Sequence, residues 1–223
     1  MSSCYDPFPR AVLFDWDNTL VNTTRGCYQA LNTVLSAFGK KTPTFEEFLR
    51  QPPLSARNYF KEIFHGKEYE EAQNLLSYHS ERFSVSPFTY AYPLLNWLNE
   101  VGVPMAVVSN KEGELLRKEI KKLGWSGYFY CCVGSCDTPE DKPSPTPLLY
   151  ALAQHALEPS PSIWFVGDSL VDMSCAQQAG CTPVSVGIQA DTHSYPFIKA
   201  QNCKTLLDLL QKRYYEQRSG KTP

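Results

Sequence analysis

Apolar positions along this chain fall into two alternating rhythms. Short unbroken runs, Ala11 to Phe14, Val103 to Val108 and Ile163 to Val166, have the length of strands buried on both faces. Between them apolar residues recur every three or four positions, which is helical spacing. After the first run, Thr23 or Thr24 caps a helix with Tyr28, Leu31, Val34, Leu35 and Phe38 on one side, and Gly39 stops it. Further helices are expected over Phe45 to Arg50, broken by Pro52-Pro53, over about Ser55 to Phe64, and from about Glu68 to Phe83. The last of these carries Ala72, Leu75, Leu76, His79 and Phe83 on one side. No strand signal is read across residues 22–88.

Alternation resumes afterwards. Pro93, Leu94, Leu95, Trp97 and Leu98 open a helix closed by Gly102, and Leu115 to Leu123 form another ended by Gly124. Tyr128 to Val133 reads as a strand and Leu148 to Ala156 as a helix. Asp172 to Ala179 is a helix ended by Gly180, and Pro183 to Val186 is the expected last strand. A final helix starts at a Thr205 cap and runs to about Tyr215, with an unstructured tail from Arg218. Strands alternating with helices predict an α/β fold with a parallel sheet. The all-helical stretch at 22–88 predicts a subdomain inserted into that core, which is formed by residues 1–21 and 89–223.

Composition changes this picture little. The chain has 223 residues and a formal net charge of -2, which suits one domain with a sizeable insertion and gives no reason to expect nucleic acid. No apolar stretch reaches membrane-spanning length. The start, Met1 to Pro7, lacks an apolar signal core, so a soluble cytoplasmic protein is expected. The eight cysteines show no paired Cys-x-x-Cys spacing and are read as reduced thiols. The four histidines form no ligand motif. Trp97, Trp125 and Trp164 are expected in the core.

The chemistry concentrates at strand ends. Asp15-Trp16-Asp17-Asn18-Thr19 follows the first apolar run. Two carboxylates two residues apart share a face on an extended backbone, where they repel and lose hydration. That cost points to a cation or a reaction. Three more segments follow in order: Ser109-Asn110-Lys111 after the second strand, Asp141-Lys142-Pro143 ahead of a helix, and Gly167-Asp168-Ser169-Leu170-Val171-Asp172 after a third strand. In an open parallel sheet ligands bind at that edge. Carboxylates, a hydroxyl and a lysine, with no thiol or histidine placed as nucleophile, suit phosphoryl transfer through a carboxylate with a hard divalent cation.

These four segments resemble, in family order, the four motifs of the haloacid dehalogenase superfamily, and the helical insert resembles the cap of its phosphoglycolate phosphatase-like branch. The resemblance implies a Rossmann-like core with a helical cap after the first strand, acting on a small phosphorylated metabolite. It implies that Asp15 attacks phosphorus and that Asp17 serves as acid and then base. Ser109, Asn110 and Lys142 would hold phosphoryl oxygens. Mg²⁺ would bind Asp15, the main-chain carbonyl of Asp17, and Asp168, with Asp172 reached through water or an outer hydrogen bond. Thr19 would tie the loop after the nucleophile. Asn18 stands where many relatives carry Gly, and Asn tolerates a left-handed backbone. Arg57, in the third helix of the insert, is a candidate for an anionic substrate.

Asp17 separates this pattern from that of haloalkanoate dehalogenases, which need neither that acid nor a metal. A sugar phosphomutase shares core and cap, and the motifs leave hydrolase and mutase both open. A receiver-type signalling domain fits poorly, because its phosphorylated Asp follows its paired acids on a later strand. A catalytically silent phosphate-binding module would be favoured by loss of Asp15 or Asp17, and both are present.

Overall fold

The computed structural model describes residues 8–50, 55–187 and 198–220. Six parallel strands form the main sheet in the order β5-β4-β1-β6-β7-β8. They are β1 (Ala11–Phe14), β4 (Met105–Glu112), β5 (Cys131–Ser135), β6 (Ile163–Gly167), β7 (Thr182–Val186) and β8 (Ile198–Ala200). The helices between them are α5 (Ala91–Glu100), α6 (Gly113–Lys122), α7 (Thr146–Ala153) and α8 (Leu170–Gln178), and α9 (Cys203–Arg218) follows the last strand. No helix among the described residues is long and apolar enough to cross a membrane.

The unbroken apolar runs are explained by the two layers they feed. Val12 and Phe14 of β1, Met105 and Val107 of β4, and Trp164 and Val166 of β6 join one hydrophobic cluster. Ala11, Leu13, Ala106, Val108, Ile163 and Phe165 join the cluster on the other side. Successive side chains of a strand point to opposite faces, so a central strand covered on both sides needs apolar residues at every position. Trp164 and Trp125 are buried in the first layer and Trp97 packs against it.

Between β1 and α5 the chain forms α1 (Thr24–Ala37), α2 (Phe45–Arg50), α3 (Ala56–Ile63) and α4 (Lys67–Ser80). Val34, Leu35, Phe60, Phe64 and Ala72 form a hydrophobic cluster of their own there. Pro52-Pro53, read as the break between α2 and α3, lies outside the described residues. Ser55 caps α3 by accepting the N–H of Asn58.

Several expectations need correction. Residues 22–88 are not wholly without strand: β2 (Val21–Asn22) pairs antiparallel with β3 (Ser86–Pro87). Two residues per strand are too few to leave a periodic signal. The strand read over Tyr128 to Val133 is shifted, because Ser126–Tyr128 is a 3-10 turn and β5 starts at Cys131. Aromatic residues favour strands, but Phe129 is spent on the core cluster. β7 is not the last strand, since β8 adds three residues at the edge. α4 ends at Ser80, short of Phe83. The cap of α9 is Asn202, which exchanges hydrogen bonds with Thr205, and α9 continues through Arg218 where a loose tail is expected; residues 221–223 lie outside the described residues.

Candidate active site

Four adjacent strands, β5, β4, β1 and β6, deliver the motif residues to the carboxyl edge of the sheet. The Asp15 N–H donates to the Val166 carbonyl at 2.8 Å, so the β1–β6 ladder runs directly into the first acid. β4 continues past Val108, where the sequence reading ended it, to Glu112, and its register with β5 shifts between Val108 and Glu112. Such irregularity re-aims side chains, and Ser109, Asn110 and Lys111 lie within it.

Lys142 comes from the loop between β5 and α7 and is buried at 2% exposure. Its ammonium donates to Asp15 Oδ1 at 2.7 Å, to Asp172 Oδ1 at 2.7 Å and to the Val108 carbonyl at 3.0 Å. Burial pulls its pKa down, but the two carboxylates outweigh burial and raise it. Asp172 Oδ2 accepts the N–H and hydroxyl of Ser169, at 3.1 and 2.5 Å, in the capping box that starts α8. A Cβ on Gly167 would lie 2.4 Å from the Asp172 Cβ, so this motif position requires glycine. Asp168 accepts a long hydrogen bond, 3.4 Å, from the Thr19 hydroxyl.

Asp15, Asp168 and Asp172 offer oxygens that all lie within 4.8 Å of one another. Burial, then neighbouring carboxylates, push Asp168 up to about 8. Burial also pushes Asp15 up to about 7, against the pull of Lys142 and with Asp172 and Asp17 adding to the rise. Three acids, two of them buried, face one ammonium and carry surplus negative charge once they are all ionised. All-oxygen donors with that surplus fit a hard divalent cation.

Asp17 stands apart from this group. Its Oδ1 lies 2.7 Å from the Lys111 ammonium and accepts the Thr23 hydroxyl at 2.5 Å. The two aspartates therefore have separate partners. Asn18 has φ +60°; its N–H donates to the Val21 carbonyl at 2.7 Å and its side-chain oxygen accepts the Thr24 hydroxyl at 2.7 Å.

Ser109 is buried in β4, and its oxygen accepts the Lys111 N–H at 3.3 Å. Asn110, expected to face phosphate, spends its amide on Lys142. It donates to the Lys142 carbonyl and accepts the Lys142 N–H, both at 3.0 Å. Arg57, expected to meet substrate, instead donates to the carbonyls of Thr138 and Pro139 at 3.0 and 2.6 Å, and lies 3.5 Å from the Asp141 carboxylate. Asp141 is buried and also accepts the hydroxyls of Ser55 and Ser135, at 2.5 and 3.0 Å. A buried carboxylate needs a cation and donors, and that need draws Arg57 onto the loop that carries Lys142.

Sequence reasoning missed Lys111, Glu119 and Asp141. Lys111 and Asp141 each adjoin a motif residue. Glu119 had a clearer signal, as a carboxylate at helical spacing with the buried Leu115 and Leu116 of α6.

Residues 12–186 match the family model described as Haloacid dehalogenase-like hydrolase. The chain belongs to this family. Phosphoglycolate phosphatase 1 of Pseudomonas aeruginosa is 30% identical over 203 residues, covering 83% of this chain and 74% of the relative. Phosphoglycolate phosphatase of Aquifex aeolicus is 31% identical over 177 residues, 77% of this chain and 81% of that one. Such relatives put this haloacid dehalogenase-like hydrolase in the phosphoglycolate phosphatase-like branch. Among solved structures, a haloacid dehalogenase-superfamily hydrolase from Ehrlichia chaffeensis superposes with a TM-score of 0.67 at 32% identity, covering 93% of this chain and 98% of that one.

Proposed function

We propose that this hydrolase cleaves a small phosphomonoester through a phosphoaspartate at Asp15, with Mg²⁺ held by Asp15, Asp168, the main-chain carbonyl of Asp17 and, less directly, Asp172. The observation that carries this reading is the buried Lys142 ammonium, 2.7 Å from both Asp15 and Asp172, with Asp168 in the same acidic group. The family is one of hydrolases, and its relatives named as phosphatases make a phosphoric ester the substrate class.

Asp15 attacks phosphorus while the bond to the ester oxygen breaks, and Asp17 delivers a proton to that oxygen. Asp17 then takes a proton from water, whose oxygen attacks phosphorus, and the phosphorus–Asp15 bond breaks to release inorganic phosphate. Lys142 neutralises charge on the phosphoryl oxygens and on its carboxylate partners throughout. Ser109 holds a phosphoryl oxygen, and Asn110 keeps Lys142 in place. The bound cation supplies charge neutralisation and orientation of the phosphoryl group.

Helices α1 to α4 act as a cap that selects the leaving group, with residues 1–21 and 89–223 as the chemical core. The seven described cysteines are free thiols, in keeping with an enzyme of the cytoplasm. The test is phosphate release from a panel of phosphate esters, phosphoglycolate among them, with Mg²⁺ and with EDTA. Mg²⁺-dependent release of inorganic phosphate is expected. Isomerised sugar phosphate without release would make the enzyme a mutase, and full activity in EDTA would remove the cation from the reading.

A further inference from the structure

Glu119 is a buried carboxylate with no part in the chemistry above. It lies on the apolar face of α6 beside Leu116 and Ile120 and is 7% exposed. Its Oε2 accepts the indole N–H of Trp16 at 2.7 Å and lies 2.7 Å from the Lys111 ammonium. Trp16 is fully buried, packs edge-on against Trp125 at 5.8 Å, and is the residue between Asp15 and Asp17. Lys111, with a side chain 7% exposed, has its other carboxylate partner in Asp17, also at 2.7 Å. One carboxylate therefore reaches Asp17 twice, through the ring of its chain neighbour and through the cation on its side chain.

A buried ionic network is weak evidence for stability, because desolvation offsets most of the attraction. Its placement is the informative part. Removing Glu119 would free the Trp16 ring and leave Lys111 to one partner. Lys111 and Glu119 also line a cavity of about 500 Å³, whose other walls include Thr23 and Arg25 at the start of α1 and Ser84 ahead of β3. Thr23 is the hydroxyl that holds Asp17.

We infer that Glu119 and Lys111 are positioning residues for Asp17, holding its carboxylate where the ester oxygen leaves. The inference rests on the reading of Asp17 as the acid and base. Neither side chain touches phosphorus, so their effect is confined to steps in which Asp17 moves a proton.

The test compares kcat/KM for 4-nitrophenyl phosphate, whose leaving group departs without a proton, with that for an alkyl phosphate, whose leaving group needs one. The proteins are wild type, Glu119→Gln, Lys111→Met, Lys111→Arg and, as control, Asp17→Asn. General acid catalysis is worth roughly 10²–10⁴-fold. Asp17→Asn should lose about that much on the alkyl ester and far less on the aryl ester. Glu119→Gln and Lys111→Met should show the same asymmetry at roughly 10–100-fold, and Lys111→Arg should restore part of it. Equal losses on both esters in Glu119→Gln, with the asymmetry intact in Asp17→Asn, would overturn the positioning role. Equal losses in Asp17→Asn itself would overturn the acid assignment instead. Glu119→Gln is nearly isosteric, so it keeps the comparison available should Lys111→Met not fold.

Discussion

Asn110 closes a two-hydrogen-bond clasp on Lys142, gripping its N–H and its carbonyl oxygen at 3.0 Å each. The clasp joins β4 to the loop beyond β5 and fixes the backbone from which the ammonium reaches Asp15 and Asp172. An asparagine side chain sets an NH2 donor beside a carbonyl acceptor in one plane, which matches the carbonyl and N–H of a single residue.

Asn110→Ala should therefore lower kcat for every phosphate ester by a similar factor. A misplacement of about 1 Å in a reacting group costs on the order of 100-fold, and a loss of roughly 10–100-fold is expected here. Steady-state kinetics over a substrate panel measures it. A loss confined to one ester would mean that Asn110 reads the substrate instead of holding Lys142.

Arg57 and Ser55 fasten α3 to Asp141, the neighbour of Lys142. Arg57→Met leaves a buried carboxylate without its cation and should cost about 1–3 kcal/mol of stability, measured by denaturant unfolding. It should lower rates on all esters together, because the loop it grips carries the shared Lys142. A changed ranking of substrates with unchanged stability would return Arg57 to the role of substrate contact.

The acidic group gives a pH dependence of definite sign. Burial, together with neighbouring carboxylates, raises Asp168 to about 8; burial likewise raises Asp15, to about 7, in spite of Lys142. Between about pH 4, where an unfolded carboxylate titrates, and pH 8, the folded chain retains protons that the unfolded chain has released. Stability of the metal-free protein contributed by this group therefore falls as pH rises through that window. Mg²⁺ competes with the same protons, so the gain in Tm on adding it should be larger at pH 8 than at pH 6. Asp168→Asn should flatten the trend. A gain independent of pH in the wild type would remove these carboxylates as the ligands.

How much was legible in the sequence depended on the reach of each interaction. The apolar runs of β1, β4 and β6 announce themselves because strand positions covered on both faces are filled by apolar side chains. The acids announce themselves because they follow strand ends, and Lys142 because it falls between the second and fourth segments, ahead of a helix. β2, β3 and β8 stay silent because two or three residues carry no period. Arg57 was read as a ligand contact from its charge in the insert, and Asn110 from its place in a motif, because neither feature says anything of the side chain's partner. Their partners, Asp141 and the Lys142 backbone, lie 84 and 32 positions away, and only the fold brings them together. Glu119 is intermediate: its place on an apolar stripe was visible, but its hold on Trp16 and Lys111 was not.

The nucleophile is tested most directly by trapping it. Rapid acid quench of the wild-type enzyme during turnover of a ³²P-labelled ester, followed by peptide mapping, should place a labile acyl phosphate on Asp15 and on no other residue. Asp15→Asn should retain the fold by circular dichroism, form no labelled peptide and show no turnover. Label on a different residue, or turnover by Asp15→Asn at the wild-type rate, would contradict a phosphoaspartate at the end of β1.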